Sequence, residues 1–183
     1  GVARTTSNGF LTTGNLVVDT SATGLDDYGT VRNNGGTGIG QDAVAGDINM
    51  EISSAGNFVV SGAAEFTASA EGGKGEIRNG PAQGGNSSLV AQNGGRFASG
   101  ESTFPAKGVC DGDNISDAAG GDVLIHADDA TINITGLTSI DTAAIAGNGI
   151  GLSGSGSAQG GAIDFGVEGS GGVLALADID IDA

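Results

Sequence analysis

The sequence predicts an all-β chain wound into a β-solenoid of about five coils with three short strands each and glycine-rich excursions between them. Three observations carry this. A plan of three alternating runs followed by a glycine-rich excursion, clearest over residues 121–147 (GDVLIHADDATINITGLTSIDTAAIAG), recurs along the chain at roughly 40 residues, a period at which solenoids and propellers occur. Within each run apolar residues alternate, as Val123, Ile125 and Ala127 do, and period two is the signature of a strand with one buried face. The composition, with 37 glycines, two prolines, no tryptophan and 4% aromatic residues, supplies small side chains where one compact core needs large ones. A single coil of such residues buries too little apolar surface to offset its ordering entropy, so coils must stack. A propeller would need four strands per blade and commonly carries aromatic signatures.

In chain order, residues 1–7 have no repeat counterpart, and the chain begins mid-repeat. The array is one continuous domain over 1–183, with units at 9–45, 46–85, 86–120, 121–160 and 161–183. Unit 9–45 supplies second and third strands at 10–13 and 15–21, then a polar excursion over 22–45 with an Asn-Asn-Gly-Gly centre, where 30–32 can add a local strand. Unit 46–85 opens on Gly46-Asp47 with Ile48, Met50 and Ile52 as its inward first run, matching Val123, Ile125 and Ala127 after Gly121-Asp122. Unit 86–120 is weaker, with Ser87, Ser99 and Ser102 facing inward and Pro105 on its third strand; proline donates nothing to a ladder, so a bulge or local opening is expected here. Unit 121–160 has the cleanest coil and ends in a nearly pure Gly/Ser/Ala stretch over 144–160, within which trimming 154–158 is expected to cost little. Unit 161–183 repeats the first run as Ile163, Phe165 and Val167 and stops on its third strand, so the chain reads as a window cut from a longer array. Two inward ladders are expected: Val18, Phe66, Phe104, Ile140 and Ile181, and Phe10, Phe58, Phe97, Ile132 and Val173.

The scheme of Gly-Asp, alternating strand, small-residue turn, alternating strand, Gly, alternating strand and Gly/Ser/Ala loop resembles the β-strand-repeat arrays of very large bacterial surface adhesins, the filamentous haemagglutinin-like proteins. The resemblance spans residues 10–183 and is one of repeat style. It implies a right-handed β-helix shaft, secretion to the outside of a Gram-negative cell, and attachment to surfaces or other cells. Neither a signal peptide nor the amino-terminal secretion domain of that family is recognisable.

Twenty-two acids against six bases give a net charge of −16, which excludes nucleic-acid binding through a basic face and disfavours anionic membranes. No apolar stretch approaches the length of a transmembrane helix, so membrane insertion is not expected. On the third strand Asp19, Glu65, Glu101, Asp141, Asp180 and Asp182 occupy outward positions that stacking brings onto one face, where they act as a solvated surface or attract cations. Asp111, Asp113 and Asp117, at alternate positions near Gly112, suit calcium, a hard ion that takes oxygen ligands; Ile115 at the fifth position breaks the EF-hand register. No other cofactor is implied. His126 falls on an outward position matching Glu51 and reads as an exposed histidine. Cys110 stands alone and reads as a small buried hydrophobe, the alternative being a thiol for another chain. Three glycosylation sequons begin at Asn86, Asn114 and Asn133, and read as chance in a bacterial protein.

No catalytic constellation is apparent, and the chain is not expected to be an enzyme. A polysaccharide-active β-helix would align acids such as Glu101, Asp141 and Asp180, but the basic and aromatic residues such sites use are scarce. The expected function is the structural shaft of a large secreted cell-surface adhesin or extracellular fibre, with neighbouring coils as its partners and an unidentified surface or cell ligand. The alternative is a small subunit polymerising end to end into an extracellular filament or sheath.

Overall fold

The computed structural model describes residues 2–5, 9–26, 38–110, 112, 114–147 and 156–183, with backbone alone for Val2–Thr5. Among these residues there is no helix, and the strands stack turn upon turn in a β-solenoid. A partial first turn carries β1 (Val2–Thr5), β2 (Phe10–Thr13), β3 (Leu16–Asp19) and β4 (Ala22–Thr23). The second turn is complete, with β5 (Ala43–Val44), β6 (Ile48–Ile52), β7 (Asn57–Val60), β8 (Ala63–Thr67) and β9 (Ala70–Glu71). The third repeats it as β10 (Ala82–Gln83), β11 (Ser87–Gln92), β12 (Arg96–Ser99), β13 (Glu101–Pro105) and β14 (Gly108–Val109). In the fourth, β15 (Ala118–Ala119) and β16 (Val123–Asp128) precede one long strand, β17 (Thr131–Asp141), and β18 (Ala144–Ile145). The last turn is partial, with β19 (Ala158–Gln159), β20 (Ile163–Glu168) and β21 (Val173–Asp182).

The expected three strands per coil become five. The bases of the excursions pair as two-residue strands, giving a four-stranded sheet β5-β10-β15-β19 and another β4-β9-β14-β18 beside the five-stranded β1-β6-β11-β16-β20 and the larger sheet built on β17. Their sequence signal is two residues long, too short for any periodicity to register.

Parallel in-register pairing places like residues in rows. Ile48, Ser87, Val123 and Ile163 share one inward row, and Met50, Leu89, Ile125 and Phe165 the next. The expected ladder through Val18, Phe66, Phe104, Ile140 and Ile181 is present, with Phe66 and Phe104 stacked at 5.0 Å between centroids. The second ladder holds through Phe58, Phe97 and Ile132 but slips by one residue at both ends: Leu11 pairs with Phe58 and Leu174 with Ile132, while Phe10 and Val173 point outward, 69% and 48% exposed. Where successive residues are both apolar, as in Phe10-Leu11 and Val173-Leu174, alternation alone does not say which one faces in.

The repeated Gly-Asp or Gly-Asn now has a physical cause. The backbone N–H of Gly46, Gly85, Gly121 and Gly161 donates straight across the coil to the carbonyls of Thr20, Ala68, Ala106 and Thr142, so the cross-section is pinched to the thickness of two main chains. This waist divides the interior. On one side lies the main core of Ile, Leu, Phe and Val; on the other a small core of Ala43, Ala45, Ala70, Ala82, Cys110 and Ala118. A Cβ on Gly85, Gly121 or Gly161 would fall on the carbonyl of the glycine one turn below. The residue after each glycine then ties the turns together: Asp47 Oδ1 accepts the N–H of Asn86 at 2.9 Å, Asn86 Oδ1 that of Asp122 at 2.9 Å, and Asp122 Oδ1 that of Ala162 at 2.8 Å.

Two further expectations are corrected. The third turn does not open at Pro105, which stays in β13 opposite Asp141, and the inward Ser99 and Ser102 satisfy each other at 2.8 Å. The register irregularity lies instead between β17 and β21, at Ile134/Leu137, beside the Gly136 corner. Nor is all of 154–158 dispensable: residues 154–155 lie outside the described residues, but Ser157 N–H is held by Asp117 and Ala158 belongs to β19, paired with Ala118. The suggested strand at 30–32 lies outside the described residues.

Candidate functional site

The outward acids of the third strand do share a face, but the register keeps them apart. Glu65 lies between Val17 and Thr103, Asp180 pairs with Ser139, and Glu101 pairs with Ala63. Of the six, only Asp141 and Asp182 are direct neighbours across turns, and Asp141 is also held by Lys107 Nζ at 3.0 Å. Hydroxyl, proline and apolar residues thus space the carboxylates, which relieves the repulsion that a stacked ladder would suffer. Glu101, Asp141 and Asp180 fall in three different rows. Asp19 is bonded locally: its Oδ1 accepts the Ser21 N–H at 2.8 Å, and hydrogen bonds from Ser21 hold its pKa below the usual carboxylate value.

Of the calcium candidates, Asp111 and Asp113 lie outside the described residues. Asp117 is described, and its Oδ1 accepts the N–H of Ser157 at 2.8 Å, a tie between turns like those of Asp47 and Asp122. Among the described residues no group of three or more His, Cys, Asp or Glu is placed to hold a metal ion.

Cys110 is buried, 1% exposed, in the alanine core, where its Sγ donates toward the carbonyls of Asp117 at 3.0 Å and Gly80 at 3.3 Å. Burial pushes its thiol pKa up, opposed in part by a hydrogen bond with Ser116. His126 sits on the outer face as expected, in one row with Glu51, Val90 and Gly166, but is half-buried, with its ring over the space a Gly166 side chain would fill.

A feature not anticipated from sequence is a groove of about 370 Å³ on the outer face of β5-β10-β15-β19. One wall is the row Asp42, Pro81, Asp117 and Ser157; the other is Val44, Gln83, Ala119 and Gln159; of the alanines between them, Ala43, Ala82 and Ala118 are buried in the small core. The signal was present as four aligned triplets, Asp-Ala-Val, Pro-Ala-Gln, Asp-Ala-Ala and Ser-Ala-Gln, hidden at the ends of stretches that read as loops.

In comparisons with known proteins, no family model, no curated protein and no solved structure matches this chain. No helix among the described residues is long and apolar enough to cross a membrane.

Proposed function

We propose that this chain is a structural shaft, a segment of a large secreted cell-surface adhesin or extracellular fibre. The observation that carries the reading is the direction of its bonding. Backbone ladders, the Asp47-Asn86-Asp122 ties and the stacked phenylalanines all join turn to turn along one axis, with the same cross-section repeated. Such a stack resists extension through many hydrogen bonds loaded together, and each added turn lengthens it without a new core design. The acidic surface keeps neighbouring fibres apart in solution. The style of the repeat, which resembles filamentous haemagglutinin-like arrays, supports an extracellular setting.

The test is the intact mass of the native polypeptide, isolated from its source under denaturing and reducing conditions. A mass far above that of 183 residues is expected. A mass equal to that of 183 residues would overturn the covalent shaft, and end-to-end assembly of small subunits would replace it.

A further inference from the structure

The groove over β5, β10, β15 and β19 has an order that the shaft does not require. Side chains able to accept hydrogen bonds alternate between its walls from turn to turn: Asp42 on the first wall, Gln83 on the second, Asp117 on the first, Gln159 on the second. Opposite each stands a residue that presents little or no acceptor: Val44, Pro81, Ala119 and Ser157, the last offering one hydroxyl. The acceptors therefore describe a zigzag along the solenoid axis. Its step is one strand spacing, about 4.8 Å, and it returns to the same wall after about 9.6 Å.

A polymer that fits must have a monomer close to one strand spacing long and must turn its recognised edge to the other side at every monomer. A β-1,4-linked pyranose chain does both, because successive rings are flipped about the chain axis. An extended peptide does not, since its side chains return to one face every second residue, about 6.8 Å, and fall out of step with the walls within two turns. The chemistry of the edge follows from the acceptors. Two carboxylates and two amide oxygens call for a donor on each sugar, and the net charge of −16 favours a cationic one. The opposite edge, a hydroxymethyl group, meets Val44, Pro81, Ala119 and Ser157, which give it contact and few competing bonds. Asp117 is already oriented, because the Ser157 N–H holds its Oδ1.

We infer that this groove binds an extended β-1,4-linked glycan of 2-amino sugars with free amines, one sugar per turn, laid parallel to the solenoid axis. Four consecutive sugars span Asp42 to Gln159. The site is independent of whether the chain is a covalent shaft or a polymerising subunit.

The experiment is calorimetric titration of the 183-residue chain with β-1,4-linked glucosamine oligomers of one to six units, with the N-acetylated hexamer, the glucose hexamer and a lysine hexamer as comparisons. Affinity is expected to rise up to about four sugars and then level. Replacing the amine should weaken binding roughly tenfold, as loss of charge-assisted hydrogen bonds does. The decisive variant is P81Q/Q83A, which keeps charge and acceptor number but moves one acceptor to the wrong wall; it should lose roughly tenfold in affinity for the glucosamine hexamer and nothing for the lysine hexamer. D42N/D117N, which leaves an oxygen to accept the Ser157 N–H, should weaken the glucosamine hexamer while D178N/D180N, remote on β21, should not. Undiminished binding by P81Q/Q83A, equal losses in the two aspartate pairs, or no binding would overturn the assignment. Thermal melts of each variant establish that the fold is retained, and the two aspartate pairs decide the matter if P81Q/Q83A does not fold.

Discussion

At the scale of single residues, the waist glycines and the lone cysteine show how one atom decides a position. Gly121 lies where a Cβ would overlap the Gly85 carbonyl, whereas Gly14 has nothing within 4 Å of the equivalent point. Gly121→Ala is therefore expected to destabilise by roughly 3 kcal/mol, at the upper end of overpacking costs, while Gly14→Ala should be neutral or stabilise by about 0.5 kcal/mol through the unfolded chain. Urea titrations of the two variants check this, and equal costs would show that the waist is not a close contact. Cys110 gives a pH dependence whose sign follows from burial. Its thiol pKa is raised above the ordinary 9.0, so the folded chain holds the proton more tightly than the unfolded one. That contribution is complete below the unfolded thiol pKa and is lost as pH rises through the folded value. The parent chain should accordingly lose stability relative to Cys110→Ala as pH rises past 9, and parallel stability curves for the two would contradict a buried thiol.

At the scale of the element, each strand gains its place from the turn below it. Asp122 illustrates the coupling: its Oδ1 satisfies the N–H of Ala162 one turn on, and its own N–H is satisfied by Asn86. Asp122→Ala should cost roughly 1 kcal/mol, the worth of one such bond, and should speed amide exchange at Ala162 and Val123 more than at Leu89. Asp122→Asn, which keeps the acceptor, should be nearly silent; if Asn and Ala cost the same, the tie between turns is not what the aspartate supplies. The same coupling explains what could be read from the chain. First-run strands such as Val123–Asp128 were legible in full, because inward Val123, Ile125 and Ala127 alternate with outward residues and recur with the period of the array. Second-run ends were not: Phe10-Leu11 and Val173-Leu174 place two apolar residues side by side, and only the stacking partner selects Leu11 and Leu174. The two-residue strands were invisible because their evident feature is glycine, and it is the waist bonds that convert Gly84-Gly85 and Gly120-Gly121 from loop signals into the hinge between two cores. The groove walls share that obscurity, since Asp42, Gln83, Asp117 and Gln159 acquire a common direction only once Ala43, Ala82, Ala118 and Ala158 are stacked.

At the scale of the whole molecule the question is how a chain with 22 acids and six bases tolerates stacking at all. Layers about 4.8 Å apart bring outward side chains of successive turns into one another's field, and the register answers in part by alternating carboxylates with Val17, Thr67, Thr103, Pro105 and Ser139. This spacing fails where Asp141 lies below Asp182 and where Asp128 lies below Glu168, and the pairing of Asp141 with a half-exposed Lys107 compensates only weakly in water. Repulsion spread over the surface in this way should be screened by any salt. The Debye length falls from about 10 Å at 0.1 M to about 3 Å at 1 M, below the layer spacing. Melting temperature should therefore climb with sodium chloride by a few degrees, a gain of ~1 kcal/mol corresponding to about 3 °C for a chain of this length. Asp182→Asn should raise the low-salt value and flatten the slope. The same melts decide the role of Asp111, Asp113 and Asp117. If these residues contribute only to a diffuse field, millimolar calcium added in 0.5 M sodium chloride should leave the melting temperature unchanged. A calcium increment that persists at that ionic strength and disappears in D111N/D113N would instead place a specific ion in that excursion, because screening by bulk salt cannot distinguish two aspartates from the rest.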